Sequence, residues 1–434
     1  MLTDFIEKRV ALTTLGCKLN YAETSTIARK FQDQGFKKVR FGEEADIVVI
    51  NTCSVTQQAD RKCKLAIKKA IKSSPSAFVA VIGCYSQLKS EEISSIKGVD
   101  LVLGTKEKFR ILEYIGKLDK HEYPEIYSCG IDAVSGFESS YSMSDRTRAF
   151  LKVQDGCDFH CSYCTIPMAR GKSRNPTIEQ VVAEAKEIGK QGIKEVVLTG
   201  VNIADFGKST GETFFELIRQ LDLIKDIGQF RISSIEPNLI TDEIIQFVAD
   251  SKHFAPHFHM PLQSGCNEIL GLMGRRYKRD LFANQVKTIK TIMPHACIGA
   301  DVIVGFPGET DGHFLDTFNF LKDTDISYLH VFSYSERQNT RAINLPGKVM
   351  TKEKDSRSRI LIELSERKRT LFYQENIGKE YMVLFESQQS KGQMFGFTSN
   401  YVKVETKFNK SLINKVVNVK FSGLLPSGNV DIIY

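Results

Sequence analysis

Apolar residues recur through the first 145 positions as short runs at 10–15, 47–50, 78–82 and 101–103. The stretches between them, such as 21–34 and 59–72, carry helical periodicity. Fully apolar strands alternating with amphipathic helices predict a parallel sheet covered by helices on its faces. The stretch 135–148, SGFESSYSMSDRTR, is small and polar and reads as a linker. From 146 to 335 the strand-then-helix pattern occurs about six times. Strands are expected to end at Gln154, Leu198, Ile235, Leu262, Val304 and Tyr334, with helices at 177–191, 214–226 and 280–292. Six units predict an open or partial (β/α) barrel, short of the eight that close a full one. One polar, charge-laced helix covers 352–376, after which 377–434 changes to short alternating segments, such as 381–385 and 416–421, with Gly-containing turns. That pattern predicts a small all-β unit. The expected fold class is α/β in three domains, 1–145, 146–376 and 377–434.

Charge alters this picture little. The 434 residues include 59 basic and 52 acidic side chains, a net +7 that permits a nucleic-acid partner without requiring one. Asp4, Glu7, Lys8 and Arg9 would interrupt the apolar part of a secretory signal. No apolar run approaches the ~20 residues that cross a bilayer. A cytoplasmic protein with no membrane partner, and a monomer, is expected. That compartment keeps thiols reduced, so ten cysteines ask for a metal or catalytic role before a disulfide one.

Cys157, Cys161 and Cys164 lie in GCDFHCSYC, directly after the strand at 150–154. The spacing lets one loop offer three thiolates to a cubane cluster and leaves the fourth iron open to a substrate or cofactor. The competing reading is a zinc site or three plain loop cysteines, but zinc wants four ligands and no fourth cysteine lies near. Cys17, Cys53 and Cys84 are far apart in sequence, yet each closes a strand: TTLGC, VVINTC, AVIGC. In a parallel sheet the carboxyl ends of strands share one edge, so these three can converge on a second cluster. Three buried cysteines are the alternative. Cys63, Cys129, Cys266 and Cys297 share no motif and are expected to be structural.

With Tyr163 as the aromatic of C-x-x-x-C-x-aromatic-C, the tight triplet resembles the radical S-adenosylmethionine superfamily. The resemblance implies a [4Fe–4S] cluster whose open iron chelates the methionine end of S-adenosylmethionine, with Tyr163 against the adenine, in a six-unit partial barrel. Less specific matches follow in order: Thr199, Gly200 and Asn202 where the methionine would lie, then Ser233 and Glu236, the latter a ribose acceptor. Val304, Gly305 and Pro307 would sit beside the adenine. The segments around Cys17, Cys53 and Cys84, with His259–Gly265, which contains Gln263 and Ser264, and Met273–Tyr277, are similar to methylthiotransferases over essentially the whole chain. Gly16-Cys17-Lys18-Leu19-Asn20 and Cys53-Ser54-Val55-Thr56 resemble the branch acting on N6-threonylcarbamoyladenosine in tRNA. The family often has Arg-x-Gly-Thr after the last barrel strand; here Asn339 replaces the Gly, a residue that tolerates left-handed backbone.

The resemblance implies two [4Fe–4S] clusters, two uses of S-adenosylmethionine, an electron donor the sequence does not specify, and replacement of an adenosine C–H by C–SCH3 at position 37, beside the anticodon. A looped-out base in the anticodon stem-loop of tRNA reaches a buried centre most cheaply. The same chemistry on isopentenyladenosine or on a ribosomal-protein aspartate is the near alternative. A non-catalytic iron–sulfur protein that binds RNA or transfers electrons is the distant one. The C-terminal unit resembles a TRAM domain, a small OB-like RNA-binding barrel. Residues 336–370 carry ten Lys/Arg against five Asp/Glu, which makes that stretch and the tail the expected phosphate-facing parts. Arg170, Arg174, Arg337, Arg341, Lys391 and Lys403 are the candidate RNA contacts.

Overall fold

A computed structural model describes residues 7–116, 118–143 and 147–434. The expected boundary at 145–146, and part of the expected linker, lie outside the described residues. Six parallel strands form the first sheet: β1 (Arg9–Thr14), β2 (Lys37–Val39), β3 (Ile47–Thr52), β4 (Phe78–Gly83), β5 (Leu101–Leu103) and β6 (Glu125–Tyr127), in the order β2-β1-β3-β4-β5-β6. Apolar clusters cover both faces, one built around Phe31 and Phe78, the other around Ile67 and Tyr85. The sequence reading missed β2 and β6. Both are three-residue edge strands with mostly exposed side chains, so no apolar run marks them.

β7 (Ser140–Tyr141) pairs antiparallel with β8 (Arg148–Lys152). Then β8, β9 (Glu195–Thr199) and β10 (Gln229–Ile232) run parallel. So do β11 (His257–Gln263), β12 (Cys297–Val304) and β13 (Tyr328–Ser333). Bridges Phe230–Phe254 and Ser234–His259 join the two halves into an open six-stranded (β/α) wall. Helix packing makes the outer layer; Thr177 and Thr213 each start a helix with a full capping box. Helix Thr351–Gln374 lies on β13 and leads into a closed antiparallel-rich barrel, β14 (Glu380–Ser390), β15 (Gln393–Thr398), β16 (Lys403–Lys407), β17 (Val416–Leu424) and β18 (Val430–Ile433). Phe385, Met394 and Phe421 fill it. The α/β class with a terminal β-barrel is therefore as the pattern predicts. Among the described residues no helix is long and apolar enough to cross a membrane.

The first sheet and the barrel share a buried ionic network. Glu23 meets Lys108 at 2.6 Å, Lys152 at 3.2 Å and Arg170 at 3.0 Å. Asp155 meets Lys152 and Arg170 at 2.8 Å and Arg174 at 3.0 Å. Burial works against the Glu23 carboxylate, but Arg170, Lys108 and Lys152 outweigh it and hold the group far below the ordinary carboxylate range. This corrects two expectations. Arg170 is 1% exposed and is spent on Glu23 and Asp155, and Arg337, 6% exposed, is bound to Asp60 at 2.7 Å and Ser54 Oγ at 2.6 Å. Both are basic residues consumed by docking one part of the chain onto another.

Candidate active site

β1, β3 and β4 are adjacent, and their carboxyl ends stop side by side, with Thr14 opposite Asn51 and Thr52 opposite Gly83. At ~4.8 Å between strands, three successive turns lie within reach of one metal centre. Cys17 is the N-cap of helix Lys18–Asp33, Cys53 follows Thr52, and Cys84 opens helix Cys84–Leu88. Gly16 has φ +108°, and a Cβ there would meet Cys53 Cβ at 2.6 Å and Sγ at 2.9 Å, so only glycine lets the first two turns approach this closely. The Asn20 amide ties them together, donating to the carbonyls of Leu15 and Thr52, both at 2.9 Å.

The Cys157–Cys164 loop docks against this edge. Thr165 Oγ1 donates to the Ser54 carbonyl at 3.3 Å, next to Cys53, and Thr105 Oγ1 to the Ala169 carbonyl at 2.5 Å. Three N–H···S contacts mark the loop sulfurs as acceptors: Phe159 N to Cys157 Sγ at 3.3 Å, Ile166 N to Cys164 Sγ at 3.4 Å, and Arg275 Nη1 to Cys161 Sγ at 3.2 Å. A cavity of about 810 Å3 is lined by Cys17, Cys53 and Cys84 from the first sheet and by Cys164 from the loop. All six cysteines are free thiols.

This donor set fits iron–sulfur clusters. Burial, then the neighbouring Cys84 and Cys17 sulfurs, push the Cys53 thiol up to about 12, and burial with Cys161 and Cys157 does the same for Cys164. Burial raises Cys17 too, opposed by the Arg170 guanidinium. The burial that disfavours a bare thiolate here is offset when a metal cation binds the sulfurs, as in metal–thiolate sites. Arg170, which lines the cavity, is therefore placed to balance thiolate charge in the first sheet. Of the four cysteines expected to be structural, Cys63, Cys266 and Cys297 are buried, the Cys63 thiol donating to the Cys53 carbonyl at 3.3 Å, while Cys129 is half-buried.

Of the residues expected to contact the cofactor, Tyr163, Thr199, Gly200, Ser233 and Gln263 line the cavity. Six other candidates do not line it. Ser264 is buried against Thr317, Val304 belongs to the barrel core, and Gly305 and Pro307 are buried behind Ile303, which takes the cavity face. Asn202 is buried with both amide atoms unpartnered. Glu236, expected at the ribose, is engaged by Arg275, whose guanidinium also reaches Tyr277. Burial raises the Glu236 carboxyl while Arg275 opposes the shift.

The reading missed Lys18, Asp301 and His330 on the cavity wall. A signal existed: a charged residue inside the apolar run ADVIV and a histidine inside LHVF interrupt strands otherwise built to be buried. Lys18 is exposed and faces the cavity, where partial loss of water, with Arg231 and Arg148 nearby, brings its ammonium down to about 8. Of the remaining RNA candidates, Arg341 and Lys391 are exposed. Lys403 sits 4.2 Å over the Phe395 ring, and Arg174 is tied to Asp155. Asn339 adopts φ +64°, the left-handed turn that the substitution for glycine requires.

Residues 9–104 match the model described as Uncharacterized protein family UPF0004, and residues 151–321 match the Radical SAM superfamily. The chain is 37% identical over 428 residues to Threonylcarbamoyladenosine tRNA methylthiotransferase MtaB of Bacillus subtilis (strain 168), covering 95% of this chain and 93% of that protein. It is 38% identical over 420 residues to the protein of the same name from Aquifex aeolicus (strain VF5), covering 95% and 99%. The tRNA-2-methylthio-N(6)-dimethylallyladenosine synthase of Clostridium tetani (strain Massachusetts / E88) is 31% identical over 436 residues, covering 98% and 94%. The radical S-adenosylmethionine methyltransferase TsrM from Kitasatospora setae shares the fold, with a TM-score of 0.55 over 76% of this chain and 75% of that one at 14% identity. The chain thus belongs to the MtaB-like branch of the radical S-adenosylmethionine methylthiotransferases, tRNA-modifying enzymes whose cofactors are [4Fe–4S] clusters and S-adenosylmethionine.

Proposed function

We propose that this enzyme converts N6-threonylcarbamoyladenosine at position 37, in the anticodon stem-loop, to its 2-methylthio derivative, using two clusters. The observation that carries the reading is one cavity lined by Cys17, Cys53 and Cys84 of the first sheet and by Cys164 of the barrel loop. Cys157, Cys161 and Cys164 would hold one cluster, and Cys17, Cys53 and Cys84 the other. When bound, the clusters and S-adenosylmethionine supply reductive cleavage to a 5′-deoxyadenosyl radical, a methyl group and a sulfur for insertion at a carbon that acid–base chemistry cannot activate.

The chain's own residues do the rest. Three cysteines in each set leave one iron open to a ligand from the cavity. Tyr163, packed edge-on against Phe306 at 6.2 Å, offers a flat wall for a purine, and Thr199, Gly200 and Gln263 bound the same space. Arg275 fixes the Cys161 sulfur by its N–H and is itself fixed by Glu236. The division 1–145, 146–376 and 377–434 then assigns one cluster to each of the first two parts and RNA grip to the third. Exposed Arg341 and Lys391, with Lys403, supply phosphate contacts there. The chain is expected to act as a monomer.

The threonylcarbamoyl nucleoside is favoured over dimethylallyladenosine because the space adjoining the cysteine cavity is lined by Lys18, Arg148, Arg231 and three histidines. An apolar five-carbon arm would strip water from those groups and return nothing. The test is mass spectrometry of tRNA nucleosides from a strain lacking the gene. Loss of 2-methylthio-N6-threonylcarbamoyladenosine, restored by the gene, is expected; an unchanged level overturns the assignment.

A further inference from the structure

The cavity between the cysteine sets continues into the barrel. Lys18, Ser233, Ser234, Asp301, His330 and Phe332 line both it and a second cavity of about 350 Å3, a volume typical of small-ligand sites. This inner cavity runs past residues near the starts of strands, Arg148, His257 and Tyr328, and Glu386 and Tyr401 of the C-terminal barrel close it.

Its wall is ionic, where barrel interiors are usually filled by branched apolar side chains. Most of those charges are already matched. Arg148 pairs with Glu386 at 2.5 Å and lies 3.7 Å from Glu195. Arg231 pairs with Glu195 at 2.8 Å and donates to the carbonyls of Thr398 and Ser399. Asp301 Oδ1 lies 2.9 Å from His259 Nε2 and 3.3 Å from His330 Nδ1, and Asp301 Oδ2 takes no hydrogen bond among the described residues. Several polar groups on the wall are left over, among them the His257 ring Nδ1. The Lys18 ammonium makes no salt bridge or hydrogen bond among the described residues, and the buried Ser233 hydroxyl has no partner. An ammonium without a salt bridge and a hydroxyl without a partner, both on the lining that the two cavities share, make a site for an anion with oxygen acceptors.

The nucleoside assigned above carries on N6 a urea joined to threonine, which offers one carboxylate, one hydroxyl and urea N–H groups. Resting on that assignment, we propose that the inner cavity receives the threonylcarbamoyl arm, with Lys18 and Ser233 binding its carboxylate and Asp301 Oδ2 accepting from its hydroxyl or urea N–H. Ser233, expected from sequence at the cofactor, then serves the substrate instead. The carboxylate completes the charge balance that the protein leaves open at Lys18. A neutral arm forgoes this contact, so the site selects by holding the charged substituent.

The test compares anaerobic turnover of two anticodon stem-loops. One carries N6-threonylcarbamoyladenosine; in the other the threonine carboxylate is a primary amide. The wild-type enzyme is expected to favour the acid by ~10- to 100-fold in KM, the value of one charge-assisted contact. Lys18→Met, with iron content equal to wild type, is expected to erase that preference and Lys18→Arg to retain it. Because Lys18 adjoins Cys17, Ser233→Ala provides a second variant away from the cysteine turns, expected to narrow the preference several-fold. Equal KM values for acid and amide in the wild type, or full preference retained in both Lys18→Met and Ser233→Ala, overturn the inference while the nucleoside assignment stands. No methylthiolation of the threonylcarbamoyl loop by cluster-loaded wild type overturns both.

Discussion

Replacing Glu23 by Gln keeps the shape of the side chain and removes one charge from the centre of the domain interface. In the wild type the fully buried members of that network are three cations, Lys108, Lys152 and Arg170, and two anions, Glu23 and Asp155, a sum of +1. Glu23→Gln raises the sum to +2 and leaves Lys108 with no carboxylate partner at all, since its only salt bridge among the described residues is to Glu23. Breaking a buried pair on one side costs about 3–5 kcal/mol, because the stranded ion keeps its desolvation penalty. The matched replacement Glu23→Gln with Lys108→Met returns the sum to +1 and is expected to recover more than half of the loss. Anaerobic urea unfolding followed by far-ultraviolet circular dichroism, with iron retention read in parallel, measures both. A loss under ~1 kcal/mol for the single variant, the level of exposed ion pairs, would refute the argument. The pH dependence has a definite sign. The Glu23 and Asp155 carboxyls are depressed in the folded protein. Their contribution is therefore complete above the ordinary carboxylate range near pH 4 and is lost as pH falls through the lower folded values. Glu23→Gln should be destabilised most at neutral pH and lose less than wild type on further acidification.

Gly16→Ala should lose the first-sheet cluster while keeping the barrel cluster, because the new Cβ collides with Cys53 at a φ that alanine resists; anaerobic reconstitution should then give about four irons per chain in place of about eight. Cys161→Ala is expected to abolish 5′-deoxyadenosine formation, whereas Cys53→Ala should retain it and yield no methylthio nucleoside; equal loss of 5′-deoxyadenosine in both would contradict the division of labour between the triplets. Arg275→Met removes the N–H bond to Cys161 Sγ and should lower the midpoint potential of the barrel cluster by on the order of 50 mV, read by redox titration monitored by electron paramagnetic resonance. No shift would mean that the contact does not persist once iron is bound.

The strands that carry the site were legible because a buried parallel strand announces itself as an apolar run, and the cysteines were legible because each stands at the end of one. Periodicity and strand-end position are local, contained in windows of a few residues. The same window could not show that β1, β3 and β4 are neighbours, which is the fact that brings Cys17, Cys53 and Cys84 to one place. Nor could it show the fate of charges. Arg170 and Arg337 read as RNA contacts from composition, yet one meets Glu23 from 147 positions away and the other meets Ser54 from 283 positions away. A guanidinium in a loop is a phosphate ligand or a buried counter-ion according to what the tertiary fold sets opposite it, and no local pattern encodes that partner. Lys18 is the converse case. Sequence placed it beside a cysteine, and only the tertiary fold decided that it would line both cavities and make no salt bridge among the described residues.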